Sequence, residues 1–200
     1  MQAGFVWLDE AAPGVLWKAM YATEDNFTGA AVDGYRCDRL AGTAELAAAL
    51  ARAAALAGAR GLKLFLWDAY RPQRAVDGFL RWCAVPEDGK TKRKHYPHIE
   101  KTDIVPLGYV AARSGHSRGS AVDLTLARMD GGLLDMGGDF DLMDEISHHG
   151  ANVGAEAARN RLLLRGIMEE SGFEAYENEW WHYALRDEPY PNTYFDFVAE

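Results

Sequence analysis

The sequence predicts an α+β fold in a single domain that spans residues 1–200. Short apolar and aromatic runs, bounded by glycine or proline, recur along the chain and are typical of strands. Longer segments keep their apolar residues at helical spacing instead. Hydrophobic residues make up 48% and charged residues 26% of the chain, which allows a sizeable core and argues against disorder.

The strand predictions rest on apolar runs and on alternation. The predicted strands are residues 5–8, 15–21, 62–67, 121–126, 173–176 and 180–185. Pro13-Gly14 separates the first two runs, so we expect two strands joined by a turn. In the fourth run, Asp123 alternates with apolar residues and projects from the other face. A carboxylate in such a strand must be paired or metal-bound, because burying it bare is costly.

The helix predictions rest on caps and stop signals. The predicted helices are residues 43–58, 73–84 and 156–171. Thr43 is a good N-cap for the first, and Glu45 lies in its first turn. Pro72 suits the first turn of the second helix, and Gly172 ends the third.

The net charge restricts the kind of binding partner, and the cysteine content indicates the cellular compartment. The formal net charge of -9 argues against a polyanionic partner such as nucleic acid. No apolar run approaches the ~18 residues of a membrane helix, and the first ten residues lack the pattern of a signal peptide. Cys37 and Cys83 are expected to be free buried thiols, so we expect a cytoplasmic protein.

Two stretches carry the residue types of a metal centre. The first is Ser114-Gly115-His116-Ser117-Arg118-Gly119-Ser120-Ala121-Val122-Asp123, and the second is Glu179-Trp180-Trp181-His182. Together they offer two imidazoles and one carboxylate as ligands, and one spare carboxylate. Three protein ligands, an open position for water and a nearby base are the parts of a zinc hydrolase.

The spacing of Glu179 and His182 constrains this prediction. Residues three apart on a regular strand point to opposite faces of the sheet. Both side chains can serve one site only if Glu179 lies in the turn before the strand, or if a bulge intervenes.

Other polar residues have weaker support from their positions. Arg71 falls at a predicted strand-to-helix junction, where it is either a site residue or a salt-bridged surface arginine. His95 and His98 have ligand-compatible spacing, but the lysines and arginine around them would repel a dication. The adjacent pair His148-His149 is poorly built to share a metal, and we interpret both as structural.

The two site motifs resemble those of a known family. The S-x-H-x-x-G-x-A-x-D motif of the zinc D,D-peptidases is matched by Ser114, His116, Gly119, Ala121 and Asp123. Their E-x-W-H motif is matched by Glu179, Trp181 and His182. The similarity to the D-alanyl-D-alanine dipeptidase branch, the VanX type, extends through Trp67-Asp68-Ala69-Tyr70-Arg71-Pro72 and Asp187-Glu188-Pro189-Tyr190-Pro191-Asn192 to essentially the whole chain.

The resemblance implies a set of roles and a fold. His116, Asp123 and His182 would bind one Zn²⁺ per chain. Glu179 would act as general base and then general acid, and Arg71 would stabilise the oxyanion. The implied substrate is the dipeptide D-Ala-D-Ala, and the implied fold is a small, mainly antiparallel sheet with helices packed against it.

Four further residues are candidates for substrate binding. The resemblance implies that Ser114 and Asp141 line the substrate pocket. Of the two, the Asp141 carboxylate suits the ammonium of a dipeptide, and the Ser114 hydroxyl suits a carbonyl or carboxylate. Tyr21 and Tyr35 flank a turn-rich loop, where each is a core residue or part of the pocket wall.

Two alternative functions stay open at this point. One is a zinc carboxypeptidase that trims peptidoglycan stem peptides, and the other is a catalytically silent zinc-binding module. Structural zinc sites usually close with four ligands, often cysteine, which favours catalysis here. Oligomeric state is open, a homo-oligomer included, as is the choice between glycopeptide resistance and nutrient recycling of D-Ala-D-Ala.

Overall fold

The chain folds around a five-stranded sheet, and a two-stranded ribbon lies beside it. The structure is a computed structural model that describes all 200 residues. The strands in chain order are β1 (Phe5–Trp7), β2 (Leu16–Trp17), β3 (Ala41–Thr43), β4 (Leu62–Asp68), β5 (Ala121–Arg128), β6 (Phe173–Ala175) and β7 (His182–Leu185). The central sheet has the order β2-β4-β5-β7-β6, and β1 pairs with β3 in the ribbon.

The central sheet is mainly antiparallel. Only β2 and β4 run parallel, while β4–β5, β5–β7 and β6–β7 are antiparallel pairs. The helices are α1 (Leu8–Ala11), α2 (Ala44–Gly58), α3 (Gln73–Ala84), α4 (Lys92–His95) and α5 (Ala155–Glu170). Together they confirm the predicted α+β class and its antiparallel sheet.

Helices α2 and α5 bury their apolar stripes against the sheet. Thr43 caps α2 as predicted, because its hydroxyl oxygen accepts a hydrogen bond from the Leu46 N–H at 3.2 Å. Leu46 and Leu50 are fully buried on its inner face. Helix α2 contacts β4, α5 contacts β5 and β6, and the two helices contact each other. None of the helices is both long and apolar enough to cross a membrane.

The predicted N-terminal pair of strands is wrong. The structure places α1 after β1, and β1 pairs with β3 rather than with β2. Residues 15–21 form only a two-residue strand, which runs parallel to β4, followed by the short 3₁₀ turn Met20–Ala22. A parallel pairing between segments distant along the chain leaves no local signal in the sequence.

The C-terminal hairpin forms as predicted, with a shorter second strand. β6 pairs with β7 antiparallel, and β7 begins at His182 rather than at Trp180. Trp180 and Trp181 therefore precede the strand, and both are buried in the core.

Candidate active site

Three acidic or imidazole side chains form a row across the middle of the sheet. Asp123 on β5 lies directly opposite Asp68 on β4 and directly opposite His182 on β7. Directly opposed residues on neighbouring strands point to the same face. A single face of three adjacent strands therefore carries all three side chains.

A bulge at the end of β4 brings Asp68 into this row. The pairing with β5 shifts register between Leu66 and Asp68, so that Leu66 faces Leu124 and Asp68 faces Asp123. In a regular ladder, Trp67 would occupy the place opposite Asp123 instead. The extra residue re-aims the Asp68 side chain, which is a common use of a bulge beside a functional site.

A tight turn delivers His116 to the same place. His116 lies in the 3₁₀ turn Gly115–Arg118, whose N-cap is Ser114. The turn ends at Gly119 with φ 73°, where an added Cβ would lie 2.3 Å from the Phe5 ring, so only glycine fits. The His116 Nδ1 donates a hydrogen bond to the Ala69 carbonyl at 2.6 Å, which leaves Nε2 facing the site.

The three predicted ligands form a compact triangle. The distance from His116 Nε2 to His182 Nδ1 is 3.1 Å, and Asp123 Oδ1 lies 3.3 Å from the former and 2.9 Å from the latter. Metal–ligand bonds of about 2.0–2.1 Å in a tetrahedron imply ligand–ligand edges of about 3.3 Å. The donor atoms therefore fit a zinc-sized ion, and no other group of three or more metal-binding side chains is this close in the structure.

The protonation states around the triangle also suit a cation. Burial alone would raise the pKa of Asp123, but the facing imidazoles of His116 and His182 hold it well below its usual range. Burial lowers the pKa of His182, which keeps its ring neutral. A carboxylate and a neutral imidazole are the forms that bind a metal.

Glu179 lies in the turn before β7, which is one of the two arrangements that its spacing from His182 allows. The turn is closed by the His182 N–H, which donates to the Glu179 carbonyl at 3.1 Å. The Glu179 Oε2 atom lies 3.9 Å from His182 Nδ1, beside the triangle rather than within it. Burial, together with the charges of Asp123 and Asp141, raises the pKa of Glu179 well above its ordinary value.

Arg71 lines the cavity rather than the outer surface, with 13% of its side chain exposed. Its Nε donates a hydrogen bond to Asp68 Oδ2 at 2.9 Å, and its Nη2 forms an ion pair with the same oxygen at 2.8 Å. Nη2 donates a hydrogen bond to Asp123 Oδ2 at 3.4 Å. The guanidinium carbon lies 4.9 Å from the centre of the Tyr21 ring. Burial works to lower the pKa of Arg71, but Asp68 and the other facing groups raise it well above its ordinary value.

Asp141 lies on a loop at the same cavity. The Tyr21 hydroxyl donates to its two carboxylate oxygens at 2.8 and 3.0 Å. Burial and the charge of Asp123 raise the pKa of Asp141 to about 7. Asp141 is also the one non-glycine residue with positive φ, at 58°.

One cavity of about 260 Å³ brings most of the predicted site residues together. Its lining includes the predicted residues Tyr21, Arg71, Ser114, His116, Asp123, Asp141, Glu179 and His182. Ser114 is also a cap, because its Oγ accepts a hydrogen bond from the His116 N–H at 3.2 Å.

Tyr35 is not part of this lining. It is buried in the core, and its hydroxyl donates to Asp68 Oδ1 at 2.7 Å. Tyr35 therefore binds Asp68 from the core rather than from the cavity, and the structure favours the core interpretation of this residue over the pocket-wall one.

The other histidines lie outside the ligand triangle. His95 and His149 are turned into the protein, and burial lowers the pKa of both rings. His148 accepts or donates a hydrogen bond with the Tyr109 hydroxyl at 3.2 Å, and His98 is exposed beside Asp144.

Two residues at the site were missed from the sequence. Asp68 follows a predicted strand directly, but its face depends on a bulge that the sequence does not reveal. Arg113 lines the cavity beside Ser114, with its guanidinium 4.7 Å from the Tyr194 ring centre. A basic residue next to the first motif was the only available signal for it.

An α+β fold whose cavity combines a His-Asp-His triangle with a nearby glutamate is typical of a metal-dependent hydrolase. Comparison with known families agrees with this class. The M15 peptidase model, described as D-Ala-D-Ala dipeptidase, matches residues 1–200. The chain belongs to this metal-dependent peptidase family and is a dipeptidase.

Curated relatives are similar over the whole chain. A D-alanyl-D-alanine dipeptidase of Enterococcus faecium is 58% identical over 202 residues, covering 100% of both chains. One from Enterococcus faecalis is 57% identical over 201 residues, also covering 100% of both chains. One from Streptomyces coelicolor is 56% identical over 199 residues, covering 98% of both chains.

Proposed function

We propose that this chain hydrolyses D-alanyl-D-alanine to two D-alanines, using one zinc ion held by His116, Asp123 and His182. The observation that carries the proposal is the triangle of three donor atoms with edges of 2.9–3.3 Å and the Glu179 carboxylate beside it. The names of the full-length relatives support the choice of substrate.

The charges in the cavity favour a bound cation. Asp123, Asp141 and Glu179 all line it, and the charge of Asp123 raises the pKa of the other two. A zinc ion bound here would lower the pKa of water and polarise a carbonyl oxygen. It would also offset the repulsion among the three carboxylates.

Glu179 is the proposed proton carrier. Its carboxylate takes a proton from the attacking water and passes it to the leaving amine as the peptide bond breaks. Burial beside Asp123 and Asp141 raises its affinity for that proton, which suits a group that must hold it between the two steps.

Arg71 is the proposed oxyanion donor. Its guanidinium is held in place by Asp68 and packs over Tyr21, so it is oriented before substrate arrives. Negative charge develops on the carbonyl oxygen during attack, and a fixed cationic donor stabilises it without reorganisation. Arginine suits this task because it stays charged even when buried.

Recognition of a free dipeptide is assigned to the cavity walls. Asp141, oriented by Tyr21, meets the substrate ammonium, and the Ser114 hydroxyl meets a carbonyl or carboxylate. In a longer peptide the same nitrogen is a neutral amide followed by more chain. A buried carboxylate without its partner costs about 1–3 kcal/mol or more, so longer peptides would be rejected.

One assay tests the proposal. Purified protein, with and without a chelator, is offered D-Ala-D-Ala, L-Ala-L-Ala and a stem pentapeptide that ends in D-Ala-D-Ala. We expect chelator-sensitive hydrolysis of the first and little action on the other two. Comparable kcat/KM values for the dipeptide and the pentapeptide would favour a carboxypeptidase. Activity that survives exhaustive chelation would show that the reaction does not need a metal.

We further infer a cytoplasmic location from the state of the cysteines. Cys37 and Cys83 are both free, and Cys83 is buried. Free thiols are typical of reducing compartments. Fractionation of the source cells, with an antibody to the protein, would contradict this if the protein were recovered outside the cytoplasmic fraction.

A further inference from the structure

We propose that His95 is a positioning residue for substrate recognition, which holds the backbone of Asp141 so that its carboxylate meets the dipeptide ammonium. This inference rests on the proposed role of Asp141. It gives a function to a histidine in the basic segment that neither the metal site nor the catalytic groups use.

Asp141 needs such support because of its backbone. Its φ of 58° lies in the left-handed region, and no other non-glycine residue in the chain adopts a positive φ. Aspartate tolerates this conformation better than most residues do, yet it is still unfavourable and persists only where neighbours hold it. The conformation sets the direction in which the carboxylate leaves the loop.

His95 holds this loop through two hydrogen bonds. Its Nδ1 donates to the Asp141 carbonyl at 3.0 Å, since a carbonyl can only accept. Its own carbonyl accepts a hydrogen bond from the Met143 N–H at 2.7 Å. The ring is buried, with 3% of the residue exposed. One residue therefore fixes the backbone on both sides of Leu142.

His95 is itself fixed to the opposite wall of the cavity. Its N–H donates to the Thr91 carbonyl at 3.0 Å, and the Thr91 hydroxyl donates to the Phe27 carbonyl at 2.6 Å. Phe27 lines the cavity and packs against Tyr21, the residue that holds the Asp141 carboxylate. Asp141 is thus held at its backbone by His95 and at its carboxylate by Tyr21, and both supports meet at Phe27.

Two lysines beside His95 have other partners. Lys92 pairs with Glu100, and Lys94 forms a short ion pair with Asp25. Their charges are therefore paired with carboxylates on the protein surface, whereas the His95 ring contacts Asp141 itself. Nearby, His98 contacts the same loop further on, where its Nδ1 lies 2.5 Å from Asp144 Oδ2, but 78% of its side chain is exposed.

A matched pair of substitutions separates the hydrogen bond from packing. His95→Asn and His95→Leu leave similar space, but only asparagine keeps an N–H donor near the position of Nδ1. If His95 served packing alone, leucine would be the better replacement in this buried place. His98→Leu is the control for a histidine on the same segment that does not contact Asp141.

The readouts are KM and kcat for D-Ala-D-Ala, and the inhibition constant of propionyl-D-Ala, which is the same dipeptide with hydrogen in place of the ammonium and no added chain. Losing one buried hydrogen bond is worth about 1–1.5 kcal/mol, so His95→Leu should raise KM about 5- to 10-fold. We expect kcat and the inhibition constant to change less than about threefold, because a displaced Asp141 affects only ammonium binding. His95→Asn should recover most of the lost affinity, and His98→Leu should resemble wild type.

Asp141→Asn separates this inference from the proposed function. If this substitution raises KM for D-Ala-D-Ala by no larger a factor than it raises the inhibition constant of the ligand without an ammonium, Asp141 does not bind the ammonium. The proposed role of His95 is then wrong as well. If Asp141→Asn does raise KM by the larger factor but His95→Leu does not, or if leucine binds dipeptide as well as asparagine does, only the positioning role of His95 is overturned.

Discussion

The ligand triangle and Asp141 line the same cavity, but the molecule places them by different means. Asp123 and His182 are directly opposed on adjacent strands, so the backbone hydrogen bonds of the sheet set their separation. Asp141 lies on a loop with φ 58°, and two side chains, Tyr21 and His95, hold it there. The strand ladder places two of the three proposed ligands and a capped turn places the third, whereas a few side-chain contacts hold Asp141.

This difference predicts how the two parts respond to change. Substituting a side chain on a strand removes that side chain's chemistry but leaves the ladder intact. Substituting a residue that holds a loop moves the neighbours that it held, because little else fixes them. Substitutions of the proposed metal and proton-carrying residues should therefore lower kcat strongly. Substitutions of the residues that hold Asp141 should raise KM by smaller factors, even though those residues do not touch the substrate.

The largest expected effect is at the triangle itself. His116→Ala removes one of the three proposed ligands, so zinc content should fall below about 0.1 per chain and activity should be lost with it. The fold should persist, because the turn that carries His116 is capped by Ser114 rather than by the imidazole. Elemental analysis and circular dichroism check this. His98→Ala, at an exposed histidine, is the control, and loss of zinc from that variant would make the ligand set wrong.

The next effect isolates the proton carrier. Glu179→Gln keeps the shape of the side chain but cannot take a proton, so kcat should fall by about 10²–10⁴ while zinc content stays at one per chain. Glu177→Gln, two residues earlier and paired with Arg165 on the surface, should change kcat less than about twofold. Near-wild-type turnover by the Glu179 variant would exclude it from the mechanism.

A third test separates the structural and catalytic roles of Arg71. Arg71→Met leaves the buried Asp68 carboxylate without its cation, so the free energy of unfolding should fall by about 3–5 kcal/mol. Adding Asp68→Asn removes that charge and should restore much of the stability. The double variant should still be slower by about 10²–10³ in kcat, because the oxyanion donor is absent. Recovery of both stability and kcat would mean that Arg71 serves Asp68 alone.

The smallest effect concerns the pH dependence of stability on the recognition side. The pKa of Asp141 is about 7 in the fold, against an ordinary value of 3.8. Between these values the folded protein keeps a proton that the unfolded chain has lost. Raising the pH through this window therefore lowers the free energy of unfolding, for this group by about 4 kcal/mol at most.

Urea denaturation of chelator-treated protein at about pH 5 and about pH 7.5 measures this slope. In Asp141→Asn, the free energy of unfolding should decrease less from the lower to the higher pH than it does in the wild type. Some decrease should remain, because the raised pKa of Glu179 contributes a loss of the same sign. An unchanged difference would show that Asp141 stays ionised in the metal-free fold.

Much of the site could be predicted because its constraints are local. The spacing of Glu179 and His182 required either a turn before the strand or a bulge, and the structure has the turn. Helix α3 has the predicted bounds, and α2 has the predicted cap, since caps and helical periodicity act over a few residues. The residue types of the triangle follow from metal chemistry, which needs carboxylates and imidazoles whatever the topology.

Only the tertiary structure determined how distant segments meet. The parallel pairing of β2 with β4, and the bulge that turns Asp68 toward Asp123, depend on register between strands that are far apart in sequence. The support of Asp141 by Tyr21 spans 120 positions of the chain, and that by His95 spans 46. The amino-acid types determine which groups can bind a metal or a proton. The packing of the whole chain determines which of these groups share one cavity, because contacts between residues so far apart in sequence produce no hydrophobic periodicity.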